Sequence, residues 1–119
     1  MMYIKHDPAH VDELLFGSKS LTARLLLAFD EYKHLDEGDR VELLTSGGFK
    51  FAEATINKIS VMTVDAFVAS RLDGHKTYSS SREMIRQFEK YYPEYEGDID
   101  GDNKLAIIWY EDITMVHQL

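Results

Sequence analysis

The chain has 119 residues, no cysteine, a hydrophobic fraction of 45% and a formal net charge of −8. That length suits one domain with one main core. The missing thiols exclude disulfides, thiolate metal sites and cysteine nucleophiles. The acidic balance argues against tight binding to extended duplex nucleic acid, which is driven by dense Lys and Arg. A small ligand or a single-stranded segment fits better, and a local basic pocket stays compatible with the sum.

Met2 to Lys5 reads as a short strand. Asp7 and Pro8 then open a helix, one as cap and the other in its first turn. Val11, Leu14 and Leu15 share its face, and Gly17 is placed to stop it in a left-handed conformation. Ser20 to Arg24 reads as extended, with Ser20, Thr22 and Arg24 on one side and Lys19, Leu21 and Ala23 on the other. Asp30 to Leu35 is a short helix or a loop wall. Glu37-Gly38-Asp39 is a turn before the alternating strand Arg40 to Leu44.

Ser46-Gly47-Gly48 predicts a hairpin turn. The strand beyond it, Phe49 to Val61, places Phe49 and Phe51 on one face and Ala52, Ala54 and Ile56 on the other. A bulge is needed before Ile59 and Val61. Thr63 caps a short helix from Val64 to about Ala69. Arg71 to Tyr78 is irregular and contains the turn pair Asp73-Gly74. Ser80 and Glu83 form a capping box for a helix carrying Met84, Ile85, Phe88 and Tyr92 on one face, ended by Pro93. Glu94 to Asp102 is an acidic loop. Leu105 to Tyr110 is a central strand, and Ile113 to Val116 is a further strand or its continuation. The order predicts an α+β domain, a mixed or antiparallel sheet curled around a core with helices at its sides.

No Walker A, GxGxxG, HExxH or GxSxG pattern is present, so no cofactor is expected. His6 and His10 flank a strand-to-helix junction, and Asp98, Asp100 and Asp102 lack the later Glu of a calcium loop, so no metal site is expected. With no secretory segment and no run near the ~20 apolar residues that span a bilayer, the expected setting is cytoplasmic, without membrane contact. Glu83 reads as a cap and also as a pocket acid. Tyr91 and Tyr95 read as core edge or as stacking surfaces.

The segment Gly17-Ser18-Lys19-Ser20-Leu21-Thr22-Ala23-Arg24 gathers an ammonium, a hydroxyl and a guanidinium near one turn. A desolvated lysine loses its proton and acts as a base, and a threonine hydroxyl becomes a nucleophile only beside such a base. Arginine offers a rigid donor fork to a carbonyl, carboxylate or phosphate. On spacing alone the simpler reading is that Lys19 and Arg24 are surface charges and Thr22 is strand filler. Asp39 reads as a turn acceptor or as an orienting partner for Arg24.

This segment, followed by Gly38-Asp39-Arg40-Val41 opening a strand, resembles the ASCH domain family of the PUA-like folds. That pattern has a glycine, a lysine two residues on, an acidic residue or threonine three further, and an arginine two after that. A Gly-Asp pair then starts the next strand. The helix reaching Tyr91-Tyr92-Pro93 and the strand Leu105-Ala106-Ile107-Ile108 fit the short members. The resemblance implies a small mixed β-barrel with peripheral helices. It also implies a ligand cleft lined by Gly17, Lys19, Thr22, Arg24, Gly38 and Asp39, and recognition of RNA or a modified pyrimidine nucleoside there.

Thr22 makes the chain most similar to small bacterial amidohydrolases that deacetylate N4-acetylcytidine. Lys19 would then be the base and Thr22 the nucleophile. The glutamate that donates a proton in that branch falls within Arg71 to Tyr78, where Asp73 is the one carboxylate, so Asp73 takes that expectation. Three readings stay open: a binding domain for a modified nucleoside or short single-stranded RNA, an amidohydrolase, or a non-catalytic structural domain. The chain is expected to be a monomer or weak dimer.

Overall fold

The computed structural model describes residues 2–17, 19–28 and 31–116, the side chains of Glu31 and Tyr32 excepted. The expected turn residue Ser18 and the expected helix start Asp30 lie outside the described residues.

Strand β1 spans Tyr3–His6, and the chain then turns through a 3-10 segment, Pro8–His10. Asp7 caps that segment by accepting the Ala9 N–H at 2.8 Å, as its type and place require. Helix α1 follows over Val11–Leu15 and buries Leu14. Gly17 sits just past its end with φ +93°, a conformation costly for any residue with a Cβ. Strand β2 covers Leu21–Leu25, β3 Arg40–Thr45 and β4 Lys50–Thr63. Helices α2, Val64–Ser70, and α3, Ser81–Tyr91, precede the last strand β5, Lys104–Met115. The expected strand at Ile113 to Val116 is thus the continuation of β5 as far as Met115.

The caps follow the sequence signals. Thr63 accepts the Ala66 N–H and Ser80 accepts the Glu83 N–H. The Glu83 carboxylate reaches back to the N–H of Ser79, one residue before the cap. Between β3 and β4, Gly48 adopts φ +92° and its N–H donates to Thr45 O, closing the expected turn. The β4–β5 register shifts between Ile56 and Lys58, where the apolar pattern required a change of face.

The five strands form one mixed sheet in the order β1-β3-β4-β5-β2. Only β1–β3 is parallel; the other pairs are antiparallel. Apolar layers cover both faces. Ile4, Leu14, Val41, Leu43, Ile56 and Ile108 form one. Leu21, Val64, Phe67, Met84, Phe88 and Ile107 form the other, under α2 and α3. β5 contributes to both, which explains its unbroken apolar run.

The expected barrel is corrected here: the sheet is open. β1 pairs only with β3 and β2 only with β5, so these two short strands remain edges. Among the described residues no backbone ladder joins them. A side chain spans the gap instead: Arg24 of β2 donates from Nη2 to the Lys5 carbonyl of β1 at 2.5 Å.

Candidate functional site

The gap between the two edges opens into a cleft of about 490 Å³. Lys5, His6 and Asp7 line it from the end of β1, and His10 and Glu13 from the turn and helix beyond. Lys19, Thr22 and Arg24 form one wall. His75, Lys76 and Tyr78 form another, and Met84, Phe88, Tyr91 and Tyr92 supply an apolar side from α3 and its end.

Strict alternation would send Lys19 away from Thr22 and Arg24. It does not, because β2 begins only at Leu21. Residues 19 and 20 are set by other bonds: Lys19 N–H donates to Glu13 O at 3.0 Å, and Ser20 N–H to Gly74 O at 2.9 Å. The lysine is thereby free of strand periodicity and lines the same hollow. It is 7% exposed, and Thr22 is 4% exposed. Burial, and then the Arg24 charge, push the Lys19 ammonium down to about 8, against a smaller opposing pull from Glu13.

Arg24 is the centre of a polar chain. Its Nε–H donates to Thr22 Oγ1 at 3.0 Å, and its Nη2 lies 3.1 Å from His6 Nδ1. A guanidinium can only donate, so Nδ1 is the acceptor and the ring proton sits on Nε2. That proton points to the Tyr110 hydroxyl oxygen, 3.0 Å away. Burial, followed by the charges of Arg24 and Lys19, holds His6 well below its ordinary value, so it stays a neutral acceptor. One Thr22 lone pair accepts from Arg24, and among the described residues its O–H has no protein acceptor. Among the described residues no hydrogen bond joins Lys19 to Thr22, so proton transfer between them needs a swing of the lysine arm or one bridging water.

His75 adds a second neutral imidazole. Its Nδ1 donates to the Lys76 carbonyl at 2.9 Å, and its ring meets Phe67 edge-on at 5.2 Å. Burial, then Lys19, holds it down to about 4. The loop carrying it depends on Gly74, which has φ +86° and would bring a Cβ to 2.0 Å from Ser20 Oγ and 3.2 Å from the Ser20 backbone nitrogen. Gly74→Ala is expected to cost about 1–3 kcal/mol through left-handed strain and the broken approach to Ser20, read as a lower urea midpoint with an unchanged slope.

The structure brings Lys19, Thr22 and Arg24 together. It does not bring the other expected residues to them. Gly17 shapes the turn before Lys19 and is not part of the lining. Gly38 and Asp39 lie in the turn before β3, where the Gly38 N–H donates to Ile56 O and the Asp39 carboxylate accepts the Asp36 N–H. Asp73 is exposed, and the carboxylates lining the cleft are Asp7 and Glu13. Glu13 was missed because it arrives from α1. The signal available was its place four residues before Gly17, on the last turn ahead of the motif.

No protein-family model matches the chain, and none of the curated proteins does. Solved structures do. Protein EF3133 from Enterococcus faecalis V583, of family model DUF984, superposes with a TM-score of 0.68 at 18% identity, over 90% of this chain and 68% of that one. ASCH from Zymomonas mobilis gives 0.64 at 13% identity, over 97% and 69%. The ASCH domain from Lactobacillus crispatus JV V101 gives 0.63 at 14%, over 97% and 81%. The chain shares the fold of ASCH-domain structures. At these identities the likeness is one of fold, and the chemistry of the cleft rests on its own residues.

Proposed function

We propose that the cleft binds a modified pyrimidine nucleoside and hydrolyses an amide on its base, as in N4-acetylcytidine. One observation carries this reading: a buried lysine weakened to about 8 shares a nucleoside-sized hollow with a buried threonine whose oxygen is fixed by Arg24. A lysine of that strength supplies neutral amine near physiological pH, which an exposed lysine does not.

Neutral Lys19 takes the Thr22 hydroxyl proton as Oγ1 attacks the acetyl carbonyl. The C–N bond to the exocyclic nitrogen breaks, and the Lys19 ammonium returns the proton to that nitrogen. Cytidine leaves, and an acetyl-threonine ester remains. Water then attacks the ester with Lys19 again as base, acetate departs, and the proton returns to Thr22 Oγ1. Lysine thus serves in both directions, and no step needs Asp73. The Arg24 Nε–H supports negative charge on Oγ1. Tyr91 and the Met84–Phe88 side offer the base a flat apolar wall.

Incubation with N4-acetylcytidine is expected to release cytidine and acetate in equal amounts, followed by chromatography. Release no faster than with Thr22→Ala overturns the hydrolytic reading. Calorimetry with the same nucleoside then decides whether the cleft binds without turnover.

A further inference from the structure

A groove along α3 adjoins the cleft. Lys76 and Gln87 line both, and the groove adds Ser79, Ser80, Arg82, Glu83, Arg86 and Lys90. Among the described residues, the cleft and groove together hold seven basic side chains, Lys5, Lys19, Arg24, Lys76, Arg82, Arg86 and Lys90, and three acidic ones, Asp7, Glu13 and Glu83. The whole chain has 13 basic and 21 acidic side chains, so the cleft and the adjoining groove hold more than half of the cations and a seventh of the anions. A surface this inverted concentrates anions even on an acidic protein.

The stripe is built by helix geometry. Arg82, Arg86 and Lys90 stand four residues apart, on one face, in steps of about 6 Å. Successive phosphates of a stretched strand have comparable spacing. All three are exposed, and among the described residues none of them forms an ion pair. Of the α3 carboxylates, Glu83 lines the groove but is held by its own cap, and Glu89 is not part of the lining. Glu83 accepts from Ser79 N–H at 3.0 Å, and Glu89 from Gly97 N–H at 2.8 Å. Lys76 and Gln87 stand where groove and cleft meet, and Tyr91, 44% exposed, offers an aromatic face within the cleft.

We propose that the α3 groove is a phosphate track for single-stranded nucleic acid, so that the cleft receives its pyrimidine as one nucleotide of a short strand. This rests on the reading of the cleft as a nucleoside site. Duplex is disfavoured because a paired base cannot enter a 490 Å³ hollow. A membrane surface is disfavoured because the stripe leads into a cleft shaped for one planar group, and not onto an exposed apolar ridge.

The test is fluorescence anisotropy with a labelled single-stranded oligocytidylate of about eight nucleotides, over a salt series. The intact chain is compared with the triple variant R82Q/R86Q/K90Q. Glutamine keeps helix propensity, and the sites are exposed, so the variant folds. Binding of cytidine alone is measured beside it. The triple variant is expected to lower the ratio of oligonucleotide to cytidine affinity at least tenfold. Its log–log salt slope should be shallower by about 2, at ~0.7 per single-stranded phosphate contact. A ratio within about twofold of the intact chain, or an unchanged slope, overturns the track. So does binding to phosphatidylserine vesicles with none to the oligonucleotide. Failure of nucleoside turnover with this dependence intact removes the hydrolase reading alone.

Discussion

Lys19→Ala is expected to lower kcat/KM for N4-acetylcytidine by about 10²–10⁴-fold, the usual worth of a general base. Lys19→Arg should be equally inactive, since a guanidinium does not deprotonate. The pH dependence is more discriminating. Only the neutral amine accepts the Thr22 proton, and burial with Arg24 has brought the ammonium down to about 8. Activity of the intact protein should therefore rise with pH through about 8 and level above it. The Glu13 carboxylate pulls the other way, raising the lysine, so Glu13→Gln should move the rise to lower pH. A profile flat between pH 7 and 9, or one that falls through 8, contradicts the assignment of Lys19 as base.

Arg24→Ala is expected to cost about 3 kcal/mol of stability, because it removes one donor group from three acceptors at once. Thr22 Oγ1, Lys5 O and His6 Nδ1 all take hydrogen bonds from it. Two of those acceptors belong to β1 and one to β2, so the substitution also removes a side-chain link between the open edges. Arg24→Lys should recover little, since one ammonium cannot reproduce a planar fork. Urea unfolding reads the effect as a lower midpoint. A loss below about 0.5 kcal/mol in Arg24→Ala would mean that water replaces the fork, and that packing alone keeps the two edges in place.

Much of the fold was legible because local chemistry announces it. Asp7, Thr63 and Ser80 cap where their side chains predict. The Gly48 turn and the bulge near Ile56 follow from punctuation and from a slipped apolar pattern. Closure of the sheet was not legible. It depends on whether β1 meets β2, a pairing between distant strands that no local pattern encodes, and the two do not pair.

The site divides in the same way. Thr22 and Arg24 share a face by alternation, as expected. Lys19 joins them because its backbone is held by Glu13 and Gly74, bonds that lie outside strand periodicity. Glu13, His75 and the α3 stripe come from separate elements, so only the assembled chain places them together. Gly38 and Asp39 satisfy their turn, which is what a Gly-Asp pair before a strand most simply does.

An NMR titration of the Thr22→Ala protein with N4-acetylcytidine tests the central claim most directly, because the ligand stays intact. The amides of residues 19–24, 75–78 and 84–92 should shift together and saturably. Shifts confined to the turn before β3 at residues 36–39 or to the acidic loop at 96–102, or no shifts at all, would contradict a nucleoside site between the two sheet edges.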